Sequence, residues 1–289
     1  MKKTLFNVTL AMAVFGMTFT ACKKDSETQP QTEEVAVEDN NSGLSDSEDI
    51  VFVSDSAMVG VIEFTPLEGL SGRISREQPK SFNGATVTFT AKGDNATGKV
   101  EVDFGTGIVW RGKTHKGKVV VTYTESRRIS GAVRTITFDN YSINDNAVDG
   151  TKTVTFTSVS GEGSATFSVS VDAKIKIKTK AGKDLVWNSL RTRIYDTKGT
   201  FDNWKDDEVT LSGNANGVNR NGVKYSAVIT TPLTVKLSCV ETSGWIPSSG
   251  VLEVTPEGAA KRSVNYGSGS CDRTVTVTVG DRSFEWTAK

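Results

Sequence analysis

Histidine is almost missing from this chain. Its single copy, His115, lies in "RGKTHKGK", and one imidazole is too few for most nitrogen-ligated metal sites or for most nucleophile–histidine pairs. Flanked by lysines, His115 reads as a solvated turn residue and not as a general base. Helical periodicity is also lacking: no window sustains apolar residues at the 3.6-residue spacing, which argues against helical bundles and parallel α/β enzymes. No glycine-rich phosphate loop follows a strand and opens a helix. The run "NDNAVDG" at 144–150 has too irregular a ligand spacing for a calcium loop and no closing glutamate, so it reads as a hairpin connection. Neither a metal nor a cofactor is expected. Charge of one sign is absent as well, with 34 basic and 34 acidic residues. From residue 50 onward the balance is 30 basic to 25 acidic, a small excess spread along the chain that is no nucleic-acid footprint.

What is present begins with an N-terminal address. Lys2 and Lys3 precede a mostly apolar stretch at 4–19, the length of a signal-peptide core and too short and interrupted for a good transmembrane helix. The stretch ends in "FTAC", which resembles a bacterial lipobox and makes Cys22 the lipidation site. An ordinary secretory signal with an incidental cysteine is the alternative. Residues 25–49 are rich in acids, Ser, Gln, Thr and Asn, and such a composition buries too little apolar area to offset its ordering entropy. The expected organisation is a signal peptide at 1–22, a disordered acidic tether at 23–57 and a β domain at 58–289, with a further division near 180–200. Cys239 and Cys271 then remain as an even pair in an oxidising compartment, which favours a disulfide. Two reduced thiols, or a catalytic cysteine, are the alternatives.

The body alternates. In "ATFSVSVDAKIKIK" (165–178) seven apolar residues interleave with seven polar ones, the signature of a strand with one dry face. The same pattern recurs in "KVVVTYT" from Lys118, "RTITF" from Arg134, "KTVTF" from Lys152 and "RTVTVTVG" from Arg273. Gly, Asn and Asp clusters separate the runs, and the Asn221–Gly222 pair is a hairpin signal. The fold class predicted is all-β, with about 14 or 15 antiparallel strands in sandwich-like or elongated layers. A second sheet is expected to cover the dry faces. A weak repeat, "VDFGTG" and "VNYGSGSCD", suggests two related halves. In the second copy Gly267 and Gly269 suit a tight turn with positive φ.

Chemistry-bearing side chains are few. Asp206, Asp207 and Glu208 sit together where a loop enters a strand. A glycosidase needs two carboxylates, but adjacent acids in a polar loop are ordinarily just solvated, so no catalytic residue is assigned. Trp187 and Trp286 fall within strands and read as core. Trp204 in "FDNWKDDE" and Trp245 in "SGWIPSSG" fall in loops, where a tryptophan ordinarily packs as a plug against the sheet; a ligand or partner contact, by stacking on a sugar or anchoring a partner, is the alternative.

The phrases "VDFGTG…KGKVVVTYT", "RTITFDNYSINDNAVDGTKTVTF", "LVWNSLRTRIYD", "NGVKYSAVITTPLTVKLSC" and "VNYGSGSCDRTVTVTVG" together resemble a group of β-rich Bacteroidota outer-membrane lipoproteins without an assigned activity. The resemblance implies an all-β domain in the outer membrane, lipid-anchored at Cys22. It also implies a cysteine after the "YGxG" turn, which supports the Cys239–Cys271 pairing. "CKKDSE" resembles the runs that send such proteins to the cell surface, the periplasmic face being the other possibility. The functional expectation is a non-catalytic binding or structural module, not an enzyme, meeting a glycan or another envelope protein. A periplasm-facing carrier of lipid or another apolar ligand is the alternative, and a glycan-active hydrolase comes third.

Overall fold

The computed structural model describes residues 30–64, 80–82, 84–92, 97–125, 129–160, 166–198 and 204–288. Cys22, the signal segment and the first residues of the expected tether lie outside them. Strands β1 (Lys80–Phe82), β2 (Ala85–Lys92), β3 (Thr97–Asp103), β4 (Ile108–Trp110), β5 (Lys113–Tyr123), β6 (Val133–Ile143), β7 (Asn146–Ser160) and β8 (Thr166–Lys178) are followed by β9 (Asp184–Asp196), β10 (Glu208–Val218), β11 (Lys224–Lys236), β12 (Ser249–Pro256), β13 (Arg262–Ser268), β14 (Thr274–Val279) and β15 (Arg282–Thr287). They form one antiparallel sheet in chain order, with β4 attached only to β5. Short turns make chain neighbours into sheet neighbours. The all-β antiparallel class read from the alternation therefore holds.

The long alternating run is a single strand. Val171, Ala173, Ile175 and Ile177 of β8 are buried, while Asp172, Lys174, Lys176 and Lys178 are exposed. The sheet also runs unbroken through 180–200, where β9 pairs with β8 on one side and β10 on the other. A division there has no counterpart in the structure.

The acidic segment departs most from expectation. Residues 30–57 are not a disordered tether: α1 (Pro30–Phe64) is a 35-residue helix. Ser47, Glu48, Asp49, Ile50 and Val51 are all buried, and five successive residues at 100° each sample the whole circumference. The sheet wraps the helix, which contacts β1, β3, β5, β9 and β12. Cover for the dry face comes from α1, so one curled sheet suffices. The helix escapes a periodicity search because its buried positions, polar and apolar alike, lie all round its axis.

Register shifts in several strand pairs, including β5–β6, β7–β8 and β10–β11, mark bulges that bend the strands and curl the sheet. Gly213 sits in the β10 bulge with φ of 116°, and a Cβ there would lie 2.4 Å from the Leu190 carbonyl oxygen. Only glycine fits both constraints.

The repeated turn is real at the level of the backbone. Asn265 Oδ1 accepts from the Gly267 amide at 2.9 Å, and Asp103 Oδ1 accepts from the Gly105 amide at 2.8 Å, so each copy closes with an Asx turn. Only the second is stapled: Cys271, just past β13, is bonded to Cys239 in α2 (Leu237–Ser243), with Cα atoms 5.0 Å apart. Closing this loop is worth about 3–4 kcal/mol in the chain-entropy model.

Docking of α1 has a direct test at Gly43, where a Cβ would fall 2.7 Å from Trp187 Cγ. Gly43→Val is expected to lower the urea midpoint by an amount equivalent to about 1–3 kcal/mol. A freely moving tether would leave it unchanged.

Candidate functional site

The interior brings together two groups of side chains that lie far apart in sequence. α1 carries nine acidic residues and no basic one. Facing it, the inner wall presents cations from strand after strand. In β9 the inward positions run Leu185, Trp187, Ser189, Arg191 and Arg193, all buried, between outward Asn188, Leu190, Thr192 and Ile194. Arg193 Nε donates to Glu48 Oε2 at 3.1 Å. From β6, Arg134 Nη1 donates to Asp55 Oδ1 at 2.6 Å. From β5, Lys113 Nζ meets Asp46 Oδ1 at 2.8 Å, Asp49 Oδ2 at 2.6 Å and Ser45 Oγ at 2.9 Å. From β7, Lys152 Nζ donates to the Ser47 carbonyl at 2.6 Å. In the β10–β11 turn the Arg220 amide and Nε each donate to Asp39 at 2.6 Å.

Burial sets the electrostatics. It opposes the charge on Lys113, but Asp46 and Asp49 outweigh it and hold the ammonium above its ordinary pKa. Lys152 has no such carboxylate in contact. Burial pulls its pKa down to about 7, with Arg193 and Arg191 adding to the fall and Glu48 opposing it. Burial likewise lowers Arg191 to about 10. Around Glu48, then, Arg193, Arg191 and Lys152 gather; Arg193 is bonded to Glu48 and also reaches Asp55 Oδ2 at 3.8 Å.

His115 is not a solvated turn residue. It lies fully buried in β5, with Nδ1 2.7 Å from the Tyr141 hydroxyl and its ring stacked on Phe104 at 5.2 Å. Burial first, and the nearby Lys113 second, depress its pKa to about 4. Its neighbours in sequence suggest solvent, but β5 alternation turns it inward with Val119 and Val121.

The two loop tryptophans part company. Trp245 is 1% exposed and packs against Phe52 of α1, ring centroids 6.0 Å apart. It plugs the interior, as the packing reading has it, and is not a ligand or partner contact. Trp204 opens a short 3-10 helix (Trp204–Asp206), and its side chain lies outside the described residues. Asp207 is buried and accepts from the Tyr195 hydroxyl, with burial raising its pKa, while Glu208 pairs with Lys198 at 2.6 Å. The "NDNAVDG" run is a hairpin: Asn144 and Asp145 form the β6–β7 turn, both with positive φ. Asp145 binds Lys116 and Lys180. Among the described residues no group of three or more His, Cys, Asp or Glu side chains is placed to hold a metal, and no helix is long and apolar enough to cross a membrane.

Lys113, Arg134, Lys152, Arg191, Arg193 and Arg220 do not stand out as site residues in the sequence, although several of them carry a signal. Arg134 precedes Ile136 and Phe138 by even steps, Lys152 precedes Val154 and Phe156, and Arg191 and Arg193 follow Leu185 and Trp187 in phase. A cation in the apolar phase of a strand must find an anion inside. The chain matches no family model, and no curated protein or solved structure matches it either.

Two outcomes follow from this interior. Glu48→Gln leaves Arg193 with only its 3.8 Å contact to Asp55, and Arg193→Met removes the cation bonded to Glu48; each is expected to cost up to about 3–5 kcal/mol, whereas the double variant recovers much of the loss. Urea unfolding of the three variants measures the coupling, and strict additivity would rule out the pair as described. For His115, the folded pKa near 4 lies below the unfolded value near 6.5, so the folded state binds fewer protons between them. The stabilisation is full above about pH 6.5 and falls away as the pH drops toward 4, by about 3 kcal/mol. As the chain has one histidine, its NMR titration is unambiguous; a midpoint near 6.5 would contradict the buried ring.

Proposed function

We propose that this protein is a lipid-anchored cell-envelope lipoprotein of the outer membrane whose β module is a non-catalytic binding or structural unit. The observation that carries the reading is the filling of the sheet by the segment next to the anchor. A carrier of lipid needs an apolar chamber, and here the inner wall is engaged by a charged helix of the same chain. Acid–base catalysis needs side chains open to a substrate. Glu48 is instead committed to Arg193, and Asp46 and Asp49 to Lys113. Partner contact with a glycan or an envelope protein then falls to the outer surface.

The reading also fixes the length of the leash. Only residues 23–29 separate Cys22 from Pro30, so the chain spans at most about 28 Å from lipid to helix, far less than a 35-residue tether would. Asp39, near the start of α1, binds Arg220 in the β10–β11 turn, so on this reading that turn lies toward the anchored end of the helix.

Cys22→Ser tests the anchor. The wild type is expected to incorporate radiolabelled palmitate and to partition into detergent; the variant is expected to do neither and to appear in the soluble fraction. A variant that stays with the membrane, or a wild type without label, would sink the proposal. Protease treatment of intact cells separates surface display, in which the module is cut, from a periplasmic position, in which it is cut only after the outer membrane is opened.

A further inference from the structure

One part of the interior holds hydrogen-bond donors that the ion pairs leave unmatched. On β9 the inward residues Trp187, Ser189 and Arg191 lie opposite Gly217, Ala215 and Gly213 of β10. Large side chains thus face a strand with almost none. Beyond β10, Tyr225 of β11 stands opposite Gly217, and a Cβ on that glycine would sit 3.0 Å from the Tyr225 hydroxyl. Tyr225 therefore leans across the glycine toward β9. α1 closes this space with Asn40 and Asn41.

Each of these asparagines has its oxygen taken by a donor from the wall. Trp187 Nε1 donates to Asn40 Oδ1 at 3.2 Å, and the Tyr266 hydroxyl donates to Asn41 Oδ1 at 2.7 Å. Indole N–H can only donate, so the Asn40 oxygen must turn to Trp187 and its amide nitrogen must turn away. The Nδ2 atoms of Asn40 and Asn41, the Tyr225 hydroxyl and the Ser189 hydroxyl are all buried without a partner. So are all three guanidinium nitrogens of Arg191, which is 4% exposed. Arg191 stacks on Trp187, its Cζ 5.0 Å from the ring centroid. That contact engages one face of the guanidinium and leaves its edge N–H groups free. The carboxylate that acts on it, Glu48, is bonded to Arg193.

Arg191 lies here among two amide donors and two hydroxyls, with no anion bonded to it; an unmatched buried charge is the costliest member of such a set. Water accepts hydrogen bonds but does not neutralise the guanidinium. We propose that this cluster binds a small monovalent anion such as chloride, with Arg191 supplying the charge and Tyr225, Asn40, Asn41 and Ser189 the surrounding donors. One uncompensated guanidinium calls for one negative charge. The donors come from both α1 and the wall, so the anion clamps the helix to the sheet.

The test is thermal unfolding of the detergent-solubilised full chain with chloride exchanged for gluconate at constant ionic strength. The melting temperature is expected to rise with chloride and to saturate, and bromide is expected to replace chloride. Arg191→Met abolishes the response. Tyr225→Phe removes one donor without a buried charge and is expected to raise the half-effect chloride concentration about tenfold. Superimposable chloride and gluconate curves for the wild type would overturn the proposal, as would an undiminished response in Arg191→Met. If that variant does not fold, an unchanged half-effect concentration in Tyr225→Phe overturns it alone.

Discussion

Everything in this structure depends on an acidic helix lying against a basic inner wall. Asp39, Asp46, Asp49, Glu48 and Asp55 meet Arg220, Lys113, Arg193 and Arg134 at positions along α1 separated by up to about 24 Å of helix rise. Such pairs are poor sources of net stability, because taking both ions out of water costs about as much as their attraction returns. Their effect here is on placement. A turn of the helix about its axis, or a slip by one residue, would leave several charges buried and unmatched at once. The apolar contacts of Val37, Leu44, Ile50 and Val53 supply the driving force, and the ion pairs settle which rotation and register that force selects.

The sheet answers to the same constraint. A meander of fourteen strands in chain order, with β4 off the path, has no topological reason to curl tightly, and its bulges and its glycine at 213 supply the bend. Curling makes one face concave, and a concave face lined with Arg and Lys cannot close on itself. Asp39, Asp46, Glu48 and Asp49 before residue 50, with Lys113, Arg134, Arg193 and Arg220 after it, are the two sides of one interior.

Much of the wall is legible in the amino-acid sequence. The Lys152, Val154, Phe156 phase in β7 and the Leu185, Trp187, Arg191, Arg193 phase in β9 mark the inward positions by their spacing alone. The disulfide and the Asn144–Asp145 hairpin are also readable, because their signals lie in local turn chemistry and in a parity of cysteines. The helix is not. "EEVAVEDNNSGLSDSEDIVF" has the composition of a solvated segment, and composition measures the affinity of a segment for water, not what competes with water for it. His115 misleads for a related reason, since the polar neighbours Thr114 and Lys116 point to the opposite side of the strand from its own side chain.

By itself the sequence determined the class of fold, the direction in which each strand faces and the turns that link the strands, because these depend on period-two alternation and on residues no more than a few positions apart. Tertiary structure alone decided that the acidic segment is a helix, that it runs inside the sheet, and that Arg191 is buried with no carboxylate bonded to it. Those outcomes turn on pairings such as Glu48 with Arg193 and Asn40 with Trp187, across 145 and 147 residues. A charge separated by so much chain carries no local mark of the charge that will neutralise it.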